Sequence, residues 1–280
     1  MRIAVAGGFA ALLTHHISQT AHAVLVLSRK PRTEFEQRFE CQAAVVDYDD
    51  EENLRFALQG VDLVISTIRG EEQIALIKAA RSARVRLFVP AEFSGCLYQR
   101  PESSDHPLNY GSSEAMELKE HYASSKTRRM DYTVFSCGIL YERFALGSLS
   151  EYGMGARECI GDQGSYLVDV GNVTADIDET NGSGRRVQVS MMSVNDVAQF
   201  VAAAIDVGPG SWPREFKLRG DRMSVLDIYE QRQNWTQWWN VQRLMATVDG
   251  RCDFQQANLN AAVDLEPESF VDWLARSWTE

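Results

Sequence analysis

The first candidate functional residues are a pair of glycines near the start of the chain. Gly7 and Gly8 follow the apolar run Ile3–Ala6 and precede Phe9 and Ala10. Glycines in such a turn let backbone amides and a helix N-terminus approach a diphosphate group. The segment matches neither G-x-G-x-x-G nor G-x-x-G-x-x-G, so its position after an apolar run is what favours dinucleotide binding. The competing interpretation is a tight turn that holds no ligand.

A basic segment follows the second apolar run, Val24–Leu27. Ser28 is succeeded by Arg29 and Lys30, and no acidic residue stands there. Folds that prefer NAD(H) place an acid near this distance to accept the ribose hydroxyls, whereas arginine and lysine pair with a 2′-phosphate. If a dinucleotide binds, these residues favour NADP(H). A solvated basic pair on a loop is the alternative.

Two further strand ends carry candidate residues. Thr67 and Ile68 follow the fourth apolar run, where they would face the pyrophosphate and ribose of a coenzyme. Pro90 ends the fifth run at the same predicted edge, and Glu92 and Phe93 come directly after it. Glu92 is an acid beside an apolar strand end, so it could donate a proton or form structural hydrogen bonds.

Tyrosines and one cysteine complete the candidates. Tyr110 and Tyr141 could donate protons or only provide apolar lining, and neither of them begins a Y-x-x-x-K pair. Cys137 has no histidine near it in sequence, which argues against a nucleophilic thiol.

Alternating apolar strands and amphipathic helices would position these residues. The predicted strands are 3–6, 24–27, 43–46, 61–65, 86–89 and 132–135, and the predicted helices are 10–19, 51–59, 71–83, 113–124 and 193–207. Continuously apolar strands that alternate with helices indicate a parallel sheet covered on both faces. We therefore expect an α/β, Rossmann-like doubly wound sheet, whose ligands lie beyond the carboxyl ends of the strands.

The regular alternation of apolar strands and helices changes in the second half of the sequence, and all six tryptophans follow residue 208. We expect residues 1–144 to form the dinucleotide-binding domain. Residues 145–280 should form a smaller substrate-binding part, packed on the first as one compact unit.

Composition excludes several classes of protein. Lys+Arg is 28 and Asp+Glu is 39, which gives a formal charge of −11 and argues against a nucleic-acid or anionic-membrane surface. Five scattered cysteines without a C-x-x-C pair, and histidines without H-x-x-x-H spacing, predict no metal site. Met1–Ala23 imitates a secretory signal, but cleavage there would destroy the first strand–helix–strand unit, so we expect a cytoplasmic protein.

Several segments together resemble the NmrA-like, isoflavone-reductase-like branch of the atypical short-chain dehydrogenases, especially its fungal members. They are Ile3–Gly8, Ser28-Arg29, Phe88–Phe93, Tyr132–Gly138 with Tyr141–Phe144, and Met192–Asp196. The resemblance implies NADP(H)-dependent reduction of phenolic or polyketide-like metabolites. It assigns the coenzyme to Gly7, Gly8 and Arg29. It assigns the substrate to the region of Phe93 and to the loop that contains Cys137, Gly138, Ile139 and Tyr141.

The chain departs from that family in two places. Its glycine turn is about one residue short and contains Phe9 and Ala10. Reductases of this branch carry a lysine on the helix before the Tyr-Thr strand, and counting back from Tyr132 places that position near Glu114 or Ala115. Lys119 lies one turn on, and we expect it to project elsewhere on the helix.

Three functions compete at this point. The first is an NADPH-dependent reductase of a small aromatic or polyketide-derived compound, with Glu92, Tyr110 or a water as proton donor. The second is a non-redox isomerase, cyclase or dehydratase on the same scaffold, and the third is an NADP-sensing regulator. The expected partner is a small-molecule substrate, and the chain would be a monomer or a homodimer.

Overall fold

The computed structural model describes most of the chain, and its contacts divide that chain into two units. The described residues are 1–100, 106, 112–144, 148–152, 165–166, 168–169, 174–175, 178–225, 247–250 and 252–278. Unit 1 comprises Met1–Glu92, Pro101–Val134 and Val201–Glu215, and unit 2 comprises Phe93–Arg100, Phe135–Phe200 and Phe216–Glu280. The division therefore differs from a single boundary at residue 144, because the chain passes repeatedly from one unit to the other.

A parallel sheet of six strands forms the centre of unit 1. The strands are β1 (Arg2–Ala6), β2 (Ala23–Ser28), β3 (Gln42–Val45), β4 (Leu63–Ser66), β5 (Leu87–Val89) and β6 (Asp131–Tyr132). Their order is β3-β2-β1-β4-β5-β6, with every neighbouring pair parallel. The order reverses between β1 and β4, which creates the crevice where doubly wound sheets bind ligands. The predicted α/β fold is confirmed.

Helices connect these strands. They are α1 (Ala10–Ser18), α2 (Thr33–Phe39), α3 (Glu51–Ala57), α4 (Glu71–Ser82) and α5 (Ser112–Ala123). The Asp50 side chain caps α3 by accepting a hydrogen bond from the Asn53 amide at 3.0 Å. Helix α4 buries a stripe that includes Ile74 and Ile77, as its apolar spacing predicts.

The strand predicted over residues 132–135 is two strands. After β6 the chain leaves the parallel sheet at Thr133, whose hydroxyl donates to the carbonyl of Pro213 at 2.9 Å. Strand β7 (Val134–Ser136) then pairs with β13 (Glu215–Lys217). The prediction of one continuous strand was wrong because the break is imposed by this distant partner and not by a turn residue.

Within its described residues, unit 2 contains short sheets and two α-helices. One sheet joins β14 (Asp221–Ser224), β12 (Gln188–Met192) and β8 (Ile139–Leu140), and another joins β11 (Thr174–Ala175), β10 (Val168–Asp169) and β9 (Ser165–Tyr166). Helix α6 (Val194–Val207) begins in unit 2, and α7 (Phe270–Ser277) follows it along the chain. Among the residues described, no helix is long and apolar enough to cross a membrane.

Candidate functional site

The turn after β1 is shaped by a close approach of Thr67. Gly7 has a φ of +107°, and a Cβ there would stand 2.3 Å from Thr67 Oγ1 and 2.9 Å from the Thr67 carbonyl carbon. Thr67 is fixed in place because its amide and its hydroxyl both donate to the carbonyl of Ala6, each at 2.8 Å. Only glycine fits at position 7, so the ends of β1 and β4 can meet closely.

The aromatic ring at position 9 is packed inside the protein. Phe9 is 2% exposed and directly precedes α1, whereas Gly8 and Ala11 are exposed. The Ala10 amide already donates to the carbonyl of Gly7 at 3.2 Å, so Ala10 contributes small size rather than a free donor. The first turn of a helix carries amides without intrahelical partners. The burial of Phe9 therefore leaves Gly8 and Ala11 as the solvent-facing residues of this turn.

The end of β2 presents two cations to solvent. The Ser28 hydroxyl organises the turn by accepting from the Lys30 amide at 3.3 Å and from the Arg32 side chain at 3.2 Å. Arg29 and Lys30 are exposed. The buried Tyr48, which follows β3, feels the positive charge of Arg29, although burial dominates and raises the pKa of its phenol. The Arg29 guanidinium thus lies near the loops after both β2 and β3.

The loop after β4 is closed by the buried Ser66. Its hydroxyl donates to the carbonyl of Ile68 and accepts from the amide of the same residue, at 3.2 and 3.3 Å. Thr67 and Ile68 are half-buried beside Gly7. The structure therefore brings Gly7, Thr67 and Ile68 together at one sheet edge.

The end of β5 is buried and held from α4. Pro90 and Glu92 are both buried, and the Glu92 amide donates to the Pro90 carbonyl at 2.7 Å. Between them, the Ala91 amide donates a hydrogen bond to the Gln73 side chain, and the Ala91 carbonyl accepts one from the Arg69 side chain. Glu92 thus follows a tight, fixed turn at the same edge of the sheet as Thr67.

A buried lysine on α5 is a candidate that the sequence interpretation missed. Lys119 is fully buried, and its Nζ lies 5.6 Å from the centre of the Tyr132 ring. Ala115, four residues earlier, is also fully buried, so the two share the inner face of the helix. The expectation that Lys119 projects elsewhere was wrong. The signal that could have identified it is its i+4 spacing from Ala115, which places both residues on one face of the helix.

The substrate candidates of unit 2 cluster around the loop after β7. Phe93 stacks on Phe135, with ring centres 6.2 Å apart. The amides of Cys137 and Gly138 both donate to the carbonyl of Ser94, at 3.0 and 3.1 Å. Cys137 is fully buried, and burial raises the pKa of its thiol to about 12, so it is held as a neutral thiol.

Gly138 permits β8 to lie against β12. Its φ is +71°, and a Cβ there would stand 1.9 Å from the carbonyl oxygen of Ser190. Ile139 then pairs with Met191 across these two strands.

Tyr141 is engaged inside unit 2. It is fully buried, and its hydroxyl donates to Asp221 Oδ2 at 3.4 Å and to the Glu268 carbonyl at 3.3 Å. Its ring packs on Phe270 and Trp273. This tyrosine holds the segment that leads into α7.

The side chain of Glu142, which lies 52 residues from Val194 in sequence, caps the start of α6. Both of its carboxylate oxygens lie 3.0 Å from the Val194 amide. Burial raises the pKa of this carboxyl to about 8, and the nearby charges of Asp196 and Glu268 act in the same direction.

Tyr110 lies outside the described residues, so its predicted role stays a prediction. The candidates Gly7, Gly8, Ser28, Arg29, Lys30, Thr67, Ile68, Pro90 and Glu92 all lie at the carboxyl ends of strands in unit 1. Within the described part of the chain, no group of three or more histidine, cysteine or acidic side chains is arranged to hold a metal ion.

Comparison with known proteins places this geometry in context. A family model described as NAD(P)H-binding matches residues 5–150. Oxidoreductase BOA1 of Botryotinia fuckeliana (strain B05.10) is 27% identical over 242 residues, which represent 81% of this chain and 73% of that protein.

Solved structures share the fold along nearly the whole chain. An NADPH-dependent quinone oxidoreductase from Escherichia coli superposes with a TM-score of 0.67 at 15% identity, covering 98% of each chain, and it has also been solved in complex with NADPH. A structure from work on pinoresinol-lariciresinol and phenylcoumaran benzylic ether reductases superposes with a TM-score of 0.63 at 17% identity, covering 99% of each chain. At these identities, the similarity concerns the fold.

Proposed function

The chain belongs to the NAD(P)H-binding family, and from that premise we propose that it is an NADP(H)-dependent reductase of a small aromatic or polyketide-derived compound. One observation carries the preference for the phosphorylated coenzyme. Arg29 and Lys30 are exposed at the end of β2, where a coenzyme without a 2′-phosphate would require an acid. Arginine there would bind a 2′-phosphate through its planar fork.

The residues at the sheet edge fit this coenzyme. The amides at the start of α1, beside Gly7, Gly8, Phe9 and Ala10, would face the diphosphate. Ser28 shapes the loop from which Arg29 and Lys30 would hold the 2′-phosphate. The loop of Thr67 and Ile68 and the turn at Pro90 would border the rest of the molecule. When bound, NADPH supplies a hydride.

Reduction by hydride also requires a proton, and three side chains of the chain are candidates to hold it. Glu92 and Lys119 are both buried in unit 1. Tyr110 remains the third candidate. A lysine on the helix before the Tyr-Thr strand is typical of reductases that this chain resembles, and Lys119 occupies that helix.

We assign substrate recognition to the loop of Phe93 and to the segment Cys137–Tyr141. Phe93 would present an aromatic face. Because Cys137 and Tyr141 are wholly buried, they would shape the substrate site from the protein interior, together with Gly138 and Ile139. The four described cysteines Cys41, Cys96, Cys137 and Cys252 are free thiols, which is compatible with the cytoplasmic location that we propose.

Coenzyme titration tests the proposal. Wild-type protein is titrated with NADPH and with NADH, and the melting temperature and nicotinamide fluorescence are followed. NADPH at 100 times its dissociation constant should stabilise the fold by about 2.7 kcal/mol. The variant Arg29→Glu should weaken NADPH at least about tenfold while changing NADH by less than about threefold, since only NADPH carries the charge that Arg29 meets.

The matched control is Arg38→Glu, which makes the same charge change at an exposed position of α2. It should leave both affinities unchanged. Equal losses of NADPH and NADH in the Arg29 variant would refute the phosphate role of Arg29. A protein that binds neither coenzyme would favour the non-redox isomerase, cyclase or dehydratase, and binding without turnover on quinones and aromatic enones would favour the regulatory sensor.

A further inference from the structure

A buried glutamine side chain holds the backbone just beyond β5. Gln73, in the first turn of α4, is 1% exposed, and its Oε1 accepts a hydrogen bond from the Ala91 amide at 2.7 Å. Strand β5 ends at Val89, so the Ala91 amide lies beyond the ladder that pairs β5 with β4. The glutamine side chain therefore provides the acceptor that a neighbouring strand no longer offers.

A second side chain holds the other polar group of the same residue. Arg69 Nε donates to the Ala91 carbonyl at 3.3 Å. Arg69 precedes α4 and comes directly after Ile68, at the loop that closes β4. Ala91 is therefore held through its amide by Gln73 and through its carbonyl by Arg69, both from one short segment of chain.

The hydrogen bonds that join Ala91 to Gln73 and Arg69 form a clamp. This clamp acts on a turn that is already tight. The Glu92 amide donates to the Pro90 carbonyl at 2.7 Å, a bond that closes a three-residue turn around Ala91. The proline ring fixes its own φ, which leaves Ala91 as the hinge of the turn. With both polar groups of Ala91 engaged, the directions of Pro90 and Glu92 relative to the ends of β4 and β5 are fixed.

We propose that Gln73 and Arg69 are positioning residues that fix the turn Pro90–Glu92 as the support for the nicotinamide half of the coenzyme. This inference rests on the proposed function. A doubly wound sheet has two mononucleotide-binding halves, and the dinucleotide lies across the point where the strand order reverses. Arg29 marks the half at β2 as the one that receives the adenosine phosphate, so the half at β4 and β5 receives the nicotinamide.

Two ligands separate the halves of the site. 2′,5′-ADP carries the adenosine and the 2′-phosphate but no nicotinamide, whereas NADPH carries both ends. Loss of the clamp should therefore weaken NADPH and spare 2′,5′-ADP. A general loss of structure would weaken both ligands together.

The experiment measures the dissociation constants of both ligands by titration calorimetry for the wild type and three variants. Gln73→Met removes the acceptor while retaining side-chain length, and Arg69→Met removes the donor. Each should weaken NADPH by about fivefold to tenfold and change 2′,5′-ADP by less than about twofold, because a lost buried hydrogen bond leaves a partner unsatisfied. The double variant should lose less than the product of the two single losses, because both side chains hold the same residue.

Arg81→Met is the control on the same helix. Arg81 donates to Ser125 at 3.2 Å and lies 4.0 Å from the centre of the Tyr122 ring, so its loss removes comparable interactions at the far end of α4. The ratio of the two affinities should not change in this variant.

The outcomes separate the two proposals. NADPH affinity that is unchanged in the clamp variants, or 2′,5′-ADP affinity that falls in parallel with it, would overturn the positioning role. A wild-type protein that binds neither ligand would overturn the proposed function, and the positioning role would fall with it.

Discussion

Thr67 occupies the space that a side chain at Gly7 would need. Its hydroxyl oxygen and its carbonyl carbon both lie within 3 Å of the position of that missing Cβ. The same threonine donates twice to the carbonyl of Ala6, so it cannot easily withdraw. The glycine therefore has a structural role, the joining of β1 to β4, in addition to any role in holding a coenzyme.

Replacing Gly7 by alanine should destabilise the fold severely. The positive φ strains any other residue, and the Cβ meets the backbone of Thr67, so we expect a loss of about 3 kcal/mol or more in the free energy of unfolding. Urea denaturation measures this loss. Gly182→Ala is the control, since a Cβ at Gly182 would have nothing within 4 Å, and its effect should stay within about 0.5 kcal/mol. Comparable losses in the two variants would contradict the steric argument.

Lys119 should matter for turnover more than for coenzyme binding. We expect Lys119→Met to reduce NADPH-dependent reduction of quinone or enone acceptors by at least about tenfold, because the buried amine that is a candidate to hold the proton is lost. The NADPH affinity should change less than about threefold. Lys126→Met, at an exposed lysine, serves as control. Full activity in the Lys119 variant would remove this residue from the proton donors.

The contribution of Glu142 to the stability of the protein should fall as the pH rises from about 4.5 to about 8. The pKa of Glu142 is near 8 in the folded chain and near 4.5 in the unfolded chain, so the native state binds more protons within this window. The stabilisation from a protonated Glu142 is complete below pH 4.5 and is lost as the pH passes 8. Chemical denaturation across this range measures the slope, and the total change from this one group should be on the order of a few kcal/mol at most.

Glu142→Gln should flatten that pH dependence, because its amide cannot ionise. Glu52→Gln, at an exposed position of α3, should retain the wild-type slope. A glutamine variant at position 142 that shows the wild-type slope would assign the titration to another group.

Cysteine modification should follow exposure. Cys41 is half-buried, whereas Cys137 is fully buried with a raised pKa, so iodoacetamide should alkylate Cys41 first and Cys137 only after unfolding. Mass spectrometry of peptides from a Cys159→Ser background reports the order, since Cys159 lies outside the described residues. Alkylation of Cys137 in the native protein at the rate of Cys41 would contradict its burial.

The strands of the sheet could be predicted because continuously apolar runs in the sequence indicate that they are buried. Runs such as Ile3–Ala6 and Val24–Leu27 are continuously apolar, as central parallel strands require. Helix α2 was missed because none of its residues is buried, so it lacks an apolar stripe. Periodicity detects an element only through the surface that the element covers.

The candidate site could be predicted only in part, for a related reason. Gly7, Arg29 and Thr67 are visible because strand ends carry them and strands can be located. Gln73 and Arg69 were not identified, because their importance comes from Ala91, which is eighteen residues beyond the glutamine and joins it only in the folded chain. Lys119 was misjudged because the prediction overlooked that residues four apart on a helix share a face. Ala115 lies on the buried face of this helix, and Lys119 therefore lies there too.

Because unit 1 is discontinuous in the chain, its last segment, Val201–Glu215, is translated well after the rest of the unit. Thr133 and Val134, which directly follow β6, donate to the main-chain oxygens of Pro213 and Arg214, and this later stretch is translated some eighty residues after them. A nascent chain halted near residue 144 would carry the coenzyme edge without its last supporting segment. An isolated amino-terminal fragment that ends near residue 144 would lack the same segment. A circular permutant would retain Val201–Glu215 and so would keep unit 1 complete.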